Sequence, residues 1–111
     1  MEAIKRGNIV LLALQGDYGK PRHAVVVQSN LFNDTHPSVI ICPITSELRD
    51  TPIFRITVEP SSHNGLRKLS QIMVDKPRTV KRERLITCIG QLEEEYATRM
   101  ERALMVFLDL P

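Results

Sequence analysis

No apolar run in this chain approaches the ~20 residues that a membrane-spanning helix needs. The opening Met1-Glu-Ala-Ile-Lys-Arg6 lacks the apolar core of a secretory leader. A cytoplasmic protein with no membrane partner is therefore the expectation. Cysteine is scarce: Cys42 and Cys88 are the only two, each inside an apolar, strand-like run. Neither has a partner at metal-ligand spacing, so a zinc site is not expected. In a reducing compartment a disulfide is not expected either, and both thiols read as small buried hydrophobes. His23, His36 and His63 are scattered without a metal motif and are expected in loops or at the surface. No metal and no cofactor are expected. Repeats and low-complexity tracts are absent, and so is a strong excess of one charge. The net charge of +2 does not by itself argue for nucleic-acid binding.

What is present is an ordinary globular composition, 42% hydrophobic and 25% charged. At 111 residues this is room for one domain, spanning 1–111, around one modest core. Charge is unevenly placed. Residues 67–84 hold Arg67, Lys68, Lys76, Arg78, Lys81, Arg82 and Arg84 against only Asp75 and Glu83. Such a stretch suits a phosphate-rich partner, and it also suits a solvated face.

The pattern of apolar residues predicts strands over Asn8–Leu14, His23–Gln28 and Ser38–Thr45. Pro43 marks a bulge or an edge in the third. Between the first two, Gln15 to Arg22 reads as a loop, with two glycines and a proline. Ser29 to Pro37 reads as a helical turn or compact loop with Ser29 or Asn30 as its cap. Phe54-Arg-Ile-Thr-Val58 alternates, which places Phe54, Ile56 and Val58 on one face. Further strands are expected over Leu69–Val74, briefly over Arg78–Val80, and over Ile86–Leu92. From Glu93 to Leu108, apolar residues at Tyr96, Met100, Ala103, Leu104, Phe107 and Leu108 recur at spacings of three and four. That is an amphipathic helix lying on the core, its acidic first turn complementing the helix dipole. The fold class is mainly β with minor α: antiparallel strands and a C-terminal helix.

Two segments carry the chemistry. In Gly19-Lys-Pro-Arg22-His-Ala-Val-Val-Val27 an arginine enters a strand, and in Val39-Ile-Ile-Cys-Pro-Ile-Thr45-Ser46 a threonine leaves one. If these strands run antiparallel, the guanidinium and the hydroxyl share one patch of surface.

With Arg6-Gly7-Asn8-Ile-Val at the start, Ser29-Asn-Leu-Phe-Asn33, and Leu69-Ser-Gln-Ile-Met-Val-Asp75-Lys-Pro-Arg-Thr79 late in the sheet, the chain resembles the MazF/PemK toxins over nearly its whole length. The resemblance implies an SH3-like, CcdB-like small barrel that works as a homodimer. It also implies a metal-independent endoribonuclease acting on single-stranded mRNA, and a cognate antitoxin whose disordered tail covers the RNA site. Arg22 and Thr45 match the family's catalytic positions. Tyr18, Lys20, His23, Ser46, Asp75, Lys76 and Arg78 are the expected RNA-contacting residues. Tyr18 is suited to stacking on an unpaired base or to packing on the barrel. The chain departs from the family pattern in four places. Asn8 stands for an aspartate, His23 for a proline and Met73 for an arginine found in some members, and the loop after the first strand is short.

In the reaction so implied, the ribose 2′-hydroxyl attacks its own phosphate, leaving a 2′,3′-cyclic phosphate and a 5′-hydroxyl. Arg22 suits charge stabilisation, because its fork grips two oxygens and its pKa above ~12 makes it a poor base. Thr45 donates to the phosphate or orients the 2′-hydroxyl. Strand alternation turns His23 away from the face of Arg22, which argues against it as the general acid. Two other functions stay open at this point: a CcdB-like gyrase poison, and a catalytically inactive SH3-like binding module. Against the first, the chain has no tryptophan and ends Phe107-Leu-Asp-Leu-Pro111.

Overall fold

A computed structural model describes residues 3–14 and 20–111. The strands are β1 (Asn8–Ala13), β2 (Pro21–Val26), β3 (Ser38–Thr45), β4 (Arg55–Val58), β5 (Ser70–Met73), β6 (Arg78–Lys81) and β7 (Leu85–Gln91). A one-turn helix α1 (Asn30–Asn33) links β2 to β3, and helix α2 (Glu94–Phe107) follows β7. All pairings are antiparallel, in the order β4-β5-β3-β2-β1-β7, with β6 also on β3.

The topology turns on β3. One of its edges pairs with β2. The other takes β6 along Ser38–Ile41 and then β5 along Ile44–Thr45. Pro43 falls in the gap between those two partners, where a missing N–H costs nothing. The sheet therefore divides at the end of β3, and each face buries its own core. Ile9, Val25, Cys42, Ile44, Ile56, Val58 and Ile72 face α2, which contributes buried Met100 with Tyr96, Ala103 and Leu104. The alternate residues Val10, Leu12, Ala24, Val26, Val39 and Ile41 face the other way and meet Val80 and Leu85. That requires β6 and β7 to curl over the second core, joined by a 3₁₀ turn at Arg82–Arg84 that sequence pattern did not predict. Among the described residues no ladder joins β6 or β4 to β7, so the sheet is strongly curled and not a closed barrel.

Most expected elements appear with shifted ends. Pro21 and Arg22, read as loop, belong to β2: they pair with Ala13 and Leu12 of β1, and a proline at a strand's first residue is tolerated. Cys88 is exposed on edge strand β7, which corrects its reading as a buried thiol. Cys42 is buried, and its thiol is pushed up to about 11, chiefly by desolvation. Ser29 caps α1, its Oγ accepting from the Leu31 N–H at 3.2 Å. Asn8 serves the opening turn, accepting from the Lys5 N–H at 2.8 Å and donating to Gln91 at 2.7 Å. Phe54 precedes β4 and meets Phe107 of α2 edge to face at 5.7 Å.

Candidate active site

The last pair in the β2–β3 ladder is His23 opposite Ile44. Arg22 and Thr45 are the next residues beyond that pair, so the same register carried one step further would set them opposite each other. Directly opposed residues of an antiparallel pair project to the same face, with Cβ atoms about 5 Å apart. The row continues on both sides: Leu12 pairs with Arg22, Thr45 with Gln71, and Gln71 with Thr57. The backbone thus sets an exposed guanidinium beside a half-buried hydroxyl at the sheet's parting.

Both line an open cleft of about 1090 Å³. Its cations are Arg22, Arg67, Lys68, Lys76 and Arg78, and among the described residues no aspartate or glutamate lines it. Leu11, Pro43, Ile44, Leu66, Met73 and Ile89 give it apolar wall, and His23, Thr45, Ser46 and Ser70 add uncharged polar groups. Five cations with no carboxylate among the described lining residues, in a chain of net charge +2, make this a local positive field suited to a polyanion.

Thr45 is held in a defined state. Its Oγ1 accepts the N–H of Glu47 at 3.0 Å, which fixes the rotamer and leaves the hydroxyl proton to donate outward. Gln71, buried beside it, clamps the segment that follows. Its Oε1 accepts from the Arg49 N–H at 3.0 Å and from Arg55 at 3.1 Å, while Nε2 donates to the Arg49 carbonyl at 3.1 Å. Ser46 lies on the cleft's rim at the start of that clamped segment.

Of the residues expected at the site, Arg22, His23, Thr45, Ser46, Lys76 and Arg78 line the cleft. Asp75 does not: it is half-buried, and its carboxylate lies 3.4 Å from the Lys76 ammonium. Lys20 is exposed and outside the lining. Tyr18 lies outside the described residues. His23 projects from the opposite face to Arg22, as alternation requires, yet lines the same cleft because the cavity wraps round the ends of β2 and β3. Its ring keeps an exposed side, but crowding on the other holds its pKa below the ordinary 6.5. At neutral pH it is an uncharged imidazole with one donor and one acceptor nitrogen.

Sequence reasoning had not singled out Arg67, Lys68 or Gln71. The first two were visible only as members of the basic stretch 67–84. Gln71 had one signal, a polar residue inside the apolar run Leu69–Val74. The basic stretch itself is sorted by the fold. Arg82 is used structurally, donating to the backbone carbonyls of Asn33 and, at 3.0 Å, His36. Behind the cleft, Asn64 holds the loop that leads into it, donating to the Glu59 carbonyl at 2.9 Å and to Glu93 at 3.0 Å. Among the described residues no cluster of three or more histidine, cysteine, aspartate or glutamate side chains is placed to hold a metal ion. No helix there is long and apolar enough to cross a membrane.

Comparison with known proteins gives consistent matches. The family described as PemK-like, MazF-like toxin of type II toxin–antitoxin system matches residues 5–108. A protein of Mycolicibacterium smegmatis named probable endoribonuclease MazF is 40% identical over 108 residues, covering 96% of this chain and 98% of that protein. Endoribonuclease EndoA of Bacillus subtilis is 24% identical over 111 residues, covering 96% of each chain. Among solved structures, a mycobacterial endoribonuclease in complex with its cognate antitoxin superposes with a TM-score of 0.82 at 21% identity, covering 100% of this chain and 98% of that one. A MazE–MazF complex from Deinococcus radiodurans gives 0.82 at 20% identity, with both chains fully covered. At these identities the structural matches speak for the fold alone.

Proposed function

The chain belongs to the PemK-like, MazF-like toxins of type II toxin–antitoxin systems, and from that membership we propose that it is an endoribonuclease cutting single-stranded mRNA. The observation that carries the site assignment is that Arg22 and Thr45, the residues next after the last β2–β3 pair, line one cleft with four further cations and, among the described residues, no carboxylate. The match over residues 5–108 supports reading the chain as one toxin domain.

The reaction is an intramolecular transfer. The 2′-oxygen forms a bond to phosphorus as the P–O5′ bond breaks, giving a 2′,3′-cyclic phosphate and a 5′-hydroxyl. Negative charge grows on the non-bridging oxygens. The Arg22 guanidinium binds two of them at once, an interaction that strengthens as the charge develops. The Thr45 hydroxyl, its oxygen already engaged by the Glu47 N–H, donates its proton to the same phosphate. Lys76 and Arg78 neutralise neighbouring phosphates, while Ser46 and neutral His23 offer hydrogen bonds to sugar or base. No metal takes part in this scheme.

A homodimer and a cognate antitoxin complete the unit. An acidic, disordered antitoxin tail is suited to the same positive cleft and would exclude RNA from it. Exposed Ile53, Phe54, Val106, Phe107 and Leu110 offer apolar surface for protein partners. The working place of such a toxin is the cytoplasm, where mRNA is translated.

Digestion of a long, defined RNA with both ends mapped, with and without chelator, tests the proposal. Cyclic-phosphate ends formed equally well in chelator are expected. Intact RNA under all conditions, or cleavage abolished by chelator, would overturn it.

A further inference from the structure

The cleft does not end at Arg78. A second hollow of about 230 Å³ runs on from it beside β6, and Leu14 and Arg78 line both cavities. Ala13, Leu14, Thr79 and Val80 line it, and its cations are Arg78, Lys81 and Arg84. All three cations are exposed, and none makes an ion pair among the described residues. Glu83, between Arg82 and Arg84, does not line the hollow.

The backbone adds donors of its own. β6 pairs with β3 alone, so among the described residues its other edge has no ladder partner. Unpaired N–H groups on a strand edge, set among lysine and arginine side chains, suit phosphate oxygens. Three cations with no aromatic side chain among the described lining residues fit the sugar–phosphate backbone better than a base, which would want a stacking aromatic or matched edges.

We propose that the β6 edge, with Lys81 and Arg84, is a second phosphate-binding subsite that carries the RNA strand out of the cleft beyond the nucleotide being cut. This rests on the ribonuclease reading above. It adds that the enzyme grips more of the strand than the reacting nucleotide, so substrate length sets efficiency.

The test uses a Lys81→Ala/Arg84→Ala double variant, leaving every residue assigned to the cleft in place. Cleavage is followed on a short oligoribonucleotide confined to the cleft and on one extended by several nucleotides to either side. Two lost surface contacts are expected to lower kcat/KM about fivefold on the long substrate and to leave the short one unchanged. With an uncleavable 2′-O-methyl strand, the slope of log affinity against log salt should flatten by about 1.4, at ~0.7 per phosphate contact in a single strand. The Lys81→Gln/Arg84→Gln variant repeats the test should the alanine pair fold poorly. Equal kcat/KM and an unchanged salt slope in an active enzyme would overturn the subsite while leaving the ribonuclease reading intact. Weakened binding of poly-L-glutamate with RNA behaviour unchanged would likewise overturn it, in favour of a peptide site. A wild-type protein that cleaves neither substrate would remove both readings.

Discussion

Replacing Arg22 by alanine separates catalysis from folding. The side chain is exposed at the start of β2, while the residues that follow it, Ala24, Val25 and Val26, are fully buried. Truncation therefore leaves the core untouched. Any contact it gives up is a surface one, worth no more than about 1 kcal/mol, a shift of at most several degrees in melting temperature. The chemical loss is larger. Removing one preorganised group that stabilises developing charge costs roughly 100- to 1000-fold in kcat, or about 3–4 kcal/mol. Arg22→Lys keeps the charge but loses the two-pronged grip, so its activity should fall between the two. Because Arg22 and Thr45 follow directly on the last β2–β3 pair and line one cleft, both groups are expected to act on one phosphate. Arg22→Ala and Thr45→Ala should then be non-additive, with a coupling of about 0.5–3 kcal/mol in a double-mutant cycle. Single-turnover cleavage of a defined RNA measures all four proteins, with thermal unfolding as the control. Full kcat in folded Arg22→Ala, or strictly multiplicative effects of the two changes, would refute the shared-phosphate geometry.

Three further outcomes follow from the fold. Arg82→Ala, which loses bonds to the carbonyls of Asn33 and His36, should cost about 1–2 kcal/mol in urea unfolding and leave kcat unchanged. Gly65→Ala should cost more than Gly7→Ala, by at least about 1 kcal/mol in the same assay. Both glycines have positive φ, +76° and +90°, but a Cβ at Gly65 would lie 2.2 Å from the Ile89 carbonyl oxygen, whereas at Gly7 it meets only the movable end of Gln91. Glu93 supplies a pH dependence. Partial burial alone would raise its pKa, but hydrogen bonds from Ser61 and Asn64, its own backbone N–H and the nearby His63 together bring it below the ordinary 4.5. A carboxylate depressed in the folded state stabilises above the unfolded pKa and ceases to do so as pH falls through the folded value. Melting temperature should thus drop on acidification from pH 5 toward 3, and Glu93→Gln should flatten that drop.

Much of this protein is legible in its chain because local physics is strong where it matters. β-branched runs and a three-four periodicity identified the strands and α2, and a polar residue at each strand end made Arg22 and Thr45 the candidates for the site. Short-range patterns failed where a distant segment supplied the reason. Pro21 and Arg22 lie in a strand only because β1 offers partners, and Cys88 is exposed on β7, which ends the strand order. Likewise Arg82 and Arg84 look alike in the basic stretch. One is spent on the carbonyls after α1 and the other lines the β6 hollow, a difference set by contacts 46 and 49 residues away in the first case.

The sequence by itself determined the element types, the residues able to hold a phosphate, and the resemblance that names the chemistry, since each depends on side-chain identity and neighbours a few positions away. Only the tertiary structure decided that β3 changes partner at Pro43, which parts the sheet and opens the cleft. It also decided which of the many cations line that cleft. Pairing register and sheet curl are properties of segments meeting across the chain, and no local pattern encodes them.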